Sequence, residues 1–184
     1  VFSPDDIMDQ TALPDAPVVI YDDDQIYIGG VIAQHLAAAG HEVHFVTPAA
    51  IVSPWTEMTL EQDRIQRALI TAGVKIHTGR SLVEITSGAC RLACTYGGAG
   101  EDVPCGAVVL VTERARETAL YDALKKDGTL LHLELIGDAA SPGLIADAVF
   151  DGHRAARGFE GDAAEQEAAY FRRELVSLQD KVGG

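Results

Sequence analysis

Strand and helix patterns alternate through the N-terminal half of this sequence, which predicts an α/β fold built on a parallel sheet. Three observations carry that expectation. The stretch "VVIYDDDQIYIGGVIAQHLAAAGHEVHFVTP", from Val18 to Pro48, has the outline of an apolar strand, a tight turn, a helix and a second strand. Another helix and a short strand follow in the same order. From Leu82 to Thr112 the apolar period then changes to two, the mark of a small antiparallel meander ending in a buried strand. Together they describe a Rossmann-like doubly wound sheet of the FAD/NAD(P)-binding type with an antiparallel β-meander insertion.

Element by element, residues 1–17 are polar, punctuated by proline and without period, and read as a linker. A chain that starts in such a segment, without an initiator Met, is expected to be a piece of something longer. Val18–Tyr21 is the first strand, and a helix is expected from Ile28 to Ala39, with Ile28, Val31, Ile32 and Leu36 on one face and Gly40 as its terminator. Glu42–Val46 is the second strand. Thr59 and Gln62 form the outline of a capping box for the next helix, with Ile65, Leu69 and Ala72 as its stripe. Val74–His77 is a short strand, and "LVEITSG", "CRLACTYGG" and "AVVLVTE" make the meander and buried strand, separated by Gly-rich or acidic turns. Further on, a helix is expected near Glu117–Lys126, a strand in "LHLELIGDAASP" ending at Gly137–Asp138, and helices at Leu144–Arg157 and Ala163–Leu178. The organisation expected is a nucleotide-binding-like domain over residues 18–130 and, over residues 131–184, a returning segment with a terminal helix.

Composition narrows the function classes. With 14 Lys and Arg against 28 Asp and Glu the formal charge is −14, which argues against nucleic acid and anionic membrane surfaces. No apolar run reaches the length of a membrane span, and the N-terminus lacks the pattern of a signal peptide. Cys90, Cys94 and Cys105 cannot all pair and show no metal-site spacing, so they are expected as reduced thiols of a cytoplasmic protein.

The turn after the first strand is the informative anomaly. A dinucleotide-binding turn reads GxGxxG, because glycines allow the tight turn and the close approach of backbone to pyrophosphate at a helix N-terminus. Counted from the end of the strand, those places fall on Asp22, Asp24 and Tyr27, with Gly29 and Gly30 further along. Carboxylates there repel a pyrophosphate, and "VHFVTP" ends in Thr47 and Pro48 where an acid would hold the ribose. The reading favoured is that Asp22–Asp24 cap the helix, so that the anion site is filled by the protein's own anion. A second reading is a phosphohydrolase of the haloacid-dehalogenase type. It would use Asp22 as nucleophile, Asp24 two residues later, Lys125 or Lys126 against phosphate, and Asp138 with Asp147 on a metal. Ile26 at a place for a small hydroxyl residue, and Pro142 between the two late acids, count against it.

The first stretch, together with "WTEMTLEQDRIQRALITAGVKIHTG" and "LIGDAASPGLIADAVFDGHRAARGFE", resembles the C-terminal part of the trimethylamine dehydrogenase family. Dimethylamine and histamine dehydrogenases and N-methylproline- or dimethylglycine-type demethylases belong to that group, and the likeness runs from about Ser3 to Glu160. It implies a large enzyme whose N-terminal (β/α)8 barrel carries FMN, a 4Fe–4S cluster and the oxidation of an amine C–N bond. Two further domains would resemble the FAD and NADPH domains of glutathione reductase, this chain being the NADPH-like one. It also implies electron transfer to an electron-transferring flavoprotein, at most an ADP in the FAD-like domain, and a homo-oligomer. No cofactor is expected in this piece, whose part would be structural or in docking. Gly137 and Asp138 match the "GD" pair that meets the flavin's ribityl–phosphate region in FAD-containing relatives. Glu113 stands where nucleotide-binding relatives have Gly. A working NAD(P)H- or ADP-binding module is the alternative within the same likeness.

Overall fold

The computed structural model describes residues 1–159; the helix expected at 163–178 lies outside them. The chain divides into two compact units, Val1–Glu113 and Arg114–Gly184.

The first unit is a mixed α/β layer structure. Four parallel strands lie in the order β3 (Lys75–Thr78), β2 (Val43–Thr47), β1 (Val18–Asp22) and β7 (Ala107–Val111). β7, and β1 as far as Tyr21, are continuous apolar runs because both of their faces are covered. On one face, Val18, Ile20, Phe45 and Val109 pack against Ile32 and Leu36 of α2 (Ile28–Ala38) and Ile65 and Leu69 of α3 (Gln62–Thr71). On the other, Val19, Val46 and Val108 pack against Cys90, Leu92, Val103 and Cys105. Those residues come from a separate antiparallel sheet of β4 (Arg80–Thr86), β5 (Ala89–Cys94) and β6 (Glu101–Pro104), and from the residue after it. A polar chain joins the sheets at their edge: His44 Nδ1 lies 3.1 Å from His77 Nε2, and His77 and Arg80 both meet Glu101.

Three local expectations change. Residues 1–17 carry a helix, α1 (Pro4–Met8), closed by a reciprocal capping box between Ser3 and Asp6 and anchored by buried Ile7. Phe2 also pairs with β7, its N–H donating to the Val108 carbonyl at 2.8 Å. "EDVP", expected as an acidic turn, is strand β6, because Val103 is buried and Asp102 pairs with Arg91 across the ladder at 3.1 Å. Val31, expected on the apolar face of α2, is 58% exposed.

In the second unit, α4 (Ala119–Asp127) ends at left-handed Gly128, and α5 (Ile145–Gly158) follows a 3-10 turn at Gly137–Ala139. The strand expected in "LHLEL" does not form. Alternation alone cannot make a strand without a ladder partner, and no other strand occurs among the described residues of this unit. Among the described residues no helix is long and apolar enough to cross a membrane.

Candidate functional site

β1 delivers Asp22 to the C-terminal edge of the parallel sheet, where the chain turns into α2. The turn is tied to β7, since the N–H groups of Asp23 and Asp24 donate to the Val111 carbonyl at 2.9 and 3.2 Å. Gln25 takes a left-handed conformation, φ 63°, and donates its N–H to Asp22 Oδ1 at 3.0 Å. The other oxygen, Asp22 Oδ2, is buried without a hydrogen-bond partner. Asp22 is fully buried, whereas Asp23 is exposed.

The carboxyl is wedged against the first turn of α2. A Cβ added to Gly29 would stand 2.6 Å from Asp22 Cγ, so only glycine lets strand and helix approach this closely. The close approach of strand and helix thus falls at Gly29 rather than at Tyr27, the place counted from the end of the strand. Gly30 plays a similar part against α3 and the loop before it, where an added Cβ would meet Ile65 Cγ2 at 3.2 Å and Ser53 Oγ at 3.5 Å.

The N-cap of α2 is Tyr27, whose own side chain makes no capping hydrogen bond. Asp22 braces the turn through Gln25. Burial pushes its pKa up to about 6, the Gln25 N–H opposes that shift, and the neighbouring charges of Asp24 and Asp23 add to it.

Tyr27 reaches across to the loop between β2 and α3. Its hydroxyl donates to Glu61 Oε2 at 2.6 Å and lies 3.1 Å from Thr59 Oγ1. Its ring meets Trp55 edge-on, centroids 6.0 Å apart, and the Trp55 N–H donates to the Gln25 carbonyl at 3.3 Å. The hydrogen bond from Tyr27, with those from Thr59 and Arg64, holds the Glu61 carboxyl below its ordinary range. The expected Thr59–Gln62 capping box is absent for the same reason. Thr59 is engaged with Glu61 and the Thr56 carbonyl, Gln62 donates to the Val52 carbonyl, and Glu61 is the N-cap of α3. Sequence reasoning missed this Tyr27–Trp55–Thr59–Glu61 clasp. Only the consecutive glycines at a helix start hinted that something packs there, since glycine is a poor helix former.

At the end of β2, Thr47 is buried and accepts the Ala49 N–H at 3.2 Å, and no acid stands where a ribose would need one. In the second unit Gly137 is left-handed, φ 58°, and donates to Asp151. Asp138 Oδ1 accepts the Gly143 N–H at 3.3 Å, just ahead of α5, while Asp147 Oδ2 accepts the Leu144 N–H at 2.8 Å. Both acids are therefore engaged at the start of α5. The phosphohydrolase arrangement finds no support: a nucleophile must meet its substrate, and Asp22 is fully buried. Among the described residues no three His, Cys, Asp or Glu side chains are grouped to hold a metal.

Residues 2–124 match the family model described as "OYE-like second alpha/beta domain". This chain belongs to that family. It is 33% identical to dimethylamine dehydrogenase of Hyphomicrobium sp. (strain x), over 95% of this chain and 27% of the relative. Histamine dehydrogenase from Rhizobium sp. 4-9 superposes with a TM-score of 0.82 at 39% identity, covering 88% of this chain and 26% of that one. The 6-hydroxypseudooxynicotine amine oxidase from Pseudomonas geniculata N1 gives 0.79 at 36% identity, covering 87% and 24%. The relatives are thus amine-oxidising oxidoreductases, as expected of the trimethylamine dehydrogenase family, and the chain spans about a quarter of their length.

The residues present fit neither a pyrophosphate at the start of α2 nor a 4Fe–4S cluster. A pyrophosphate at the start of α2 would meet the buried Asp22 carboxyl and the exposed Asp23. A 4Fe–4S cluster is held by four cysteine thiolates, and the chain has three cysteines, two of them packed against each other in the apolar layer.

Proposed function

We propose that this chain is the Rossmann-like, NADPH-domain counterpart of a flavin and iron–sulfur amine dehydrogenase or demethylase, and that its nucleotide turn is retired. The strand order β3-β2-β1-β7 supports the fold part of this reading, being the half-sheet around which a doubly wound nucleotide fold is organised. The observation that carries the functional part is Asp22. A fully buried carboxyl pressed on Gly29 takes the space at the head of α2 that a phosphate would need.

In the intact enzyme the amine would be oxidised at FMN in a barrel outside this chain, with a 4Fe–4S cluster passing electrons on, giving an iminium that water hydrolyses. Residues 131–184 would return towards an FAD-like domain holding at most ADP. The part of this domain is structural: it covers the barrel and shapes a docking face for an electron-transferring flavoprotein. The excess of acidic residues would steer a basic partner by long-range attraction, which salt weakens.

Calorimetric titration of the chain with NADH, NADPH and ADP tests the reading. The expected result is no heat of binding up to millimolar nucleotide. Micromolar binding of NADH or NADPH would overturn it and make this a working hydride-donor module.

A further inference from the structure

Two thiols remote from the acidic turn face each other on the opposite side of the parallel sheet. Cys90 lies in β5 and Cys105 directly follows β6. The β5–β6 register pairs Cys90 with Val103, and the ladder continues with the Cys105 N–H donating to the Gly88 carbonyl at 2.9 Å. Cys105 is therefore the diagonal cross-strand neighbour of Cys90 on the same face of the sheet. Their sulfurs are 3.3 Å apart, both thiols are free, and both are buried among Val19, Val46, Leu92 and Val108. Closing from 3.3 Å to the roughly 2.05 Å of an S–S bond is a movement that χ1 rotation and a small shift of the strands supply.

We propose that Cys90 and Cys105 are a modification site, a latent disulfide formed by a peroxide-class oxidant. One thiol, as thiolate, attacks the O–O bond of hydrogen peroxide and becomes a sulfenic acid, while the departing hydroxide and the thiol proton leave as water. The second sulfur attacks the sulfenic sulfur, forms the S–S bond and expels hydroxide, which takes the second thiol proton as a second water. Two electrons pass from the two sulfurs to one peroxide. Burial pushes the Cys90 thiol up to about 12, which leaves little thiolate in the resting pair and makes its oxidation slow and dependent on transient opening of the antiparallel sheet. The bond would fasten residues 15 positions apart and staple β5 to the segment leading into β7. Cys94, four positions further along the sequence and half-buried, is the built-in competitor for the same oxidant.

The test treats the whole chain with hydrogen peroxide, alkylates the remaining thiols after unfolding, and digests with trypsin and a glutamate-specific protease. Cleavage after Arg91 and Glu101 puts Cys90, Cys94 and Cys105 in three different peptides. The expected result is one linked pair of peptides carrying Cys90 and Cys105, with Cys94 free of any disulfide. Thermal unfolding of the oxidised chain should shift upward by roughly 5–10 °C, a shift that Cys90→Ser abolishes. Cys90 and Cys105 both recovered as alkylated thiols, either of them linked to Cys94, or either over-oxidised without a link would overturn the assignment.

Discussion

Asp22 and Asp147 both stand at the start of a helix, one behind α2 and the other in the first turn of α5, and they do opposite things there. Asp147 is exposed and turns its carboxylate back onto the Leu144 N–H at 2.8 Å. Asp22 is buried, satisfies one oxygen through Gln25, leaves the other unpaired and presses on Gly29. The same residue type therefore acts as a solvated cap in one place and as a space-filling plug in the other. Sequence position sets the proximity to the helix. Burial and the number of N–H groups within reach set the role.

The sharpest way to break the comparison is to fill the space that Asp22 shares with the helix. Gly29→Ala places a Cβ 2.6 Å from Asp22 Cγ and should cost about 3 kcal/mol in urea unfolding, the upper range for overpacking. Paired with Asp22→Gly the loss should shrink well below that, because the clashing side chain is gone. Equal losses in both backgrounds would mean that the wedge is not the reason for the glycine.

A somewhat smaller effect is expected from Asp22→Asn. Folding raises the pKa of Asp22 from 3.8 to about 6, so the folded chain holds this proton more tightly than the unfolded one. Its contribution to stability is full below pH 4, declines as pH rises through 6, and leaves a deficit of about 3 kcal/mol above that. Asn keeps an oxygen for the Gln25 N–H but buries an amide group without a partner, which takes back about 1 kcal/mol. The variant should therefore be about 2 kcal/mol more stable than the native chain at pH 7, and the advantage should vanish by pH 4. Denaturant melts at a series of pH values measure the difference, and a gap that does not change with pH would refute the buried-carboxyl account.

The exposed turn should give the smallest response. Asp147→Ala removes a cap at the start of α5 and should cost roughly 0.5–1 kcal/mol, read as lost helicity or lowered melting temperature. Asp147→Asn should recover most of that loss, since an amide oxygen also accepts the Leu144 N–H. A loss above that of Gly29→Ala would invert the comparison.

Much of the first unit was legible because its strands are apolar on both faces and its helices follow strands at short spacing. "VVIYD" and "AVVLV" could hardly be anything else. The misses have two origins. β6 is held by its cross-strand partners in β5, which leave no local signal, whereas α1 carries one, the Ser3–Asp6 capping box with Pro4 at its start, in a segment whose prolines read as a linker. "LHLEL" shows the reverse, a local alternation with no ladder to join. The acidic turn was recognised as anomalous, but its mechanism was not legible. Counting along the sequence assigned the close-packing place to Tyr27, whereas the close approach of strand and helix falls at Gly29 and Tyr27 reaches Glu61.

The most direct measurement is a carbon-13 NMR titration of the side-chain carboxyls, native chain against Asp22→Asn. One carboxyl carbon is expected to titrate near pH 6 in the native chain and to be missing from the variant. If the signal lost in Asp22→Asn titrates near pH 4, the carboxyl is solvated, and the head of α2 is not filled from within.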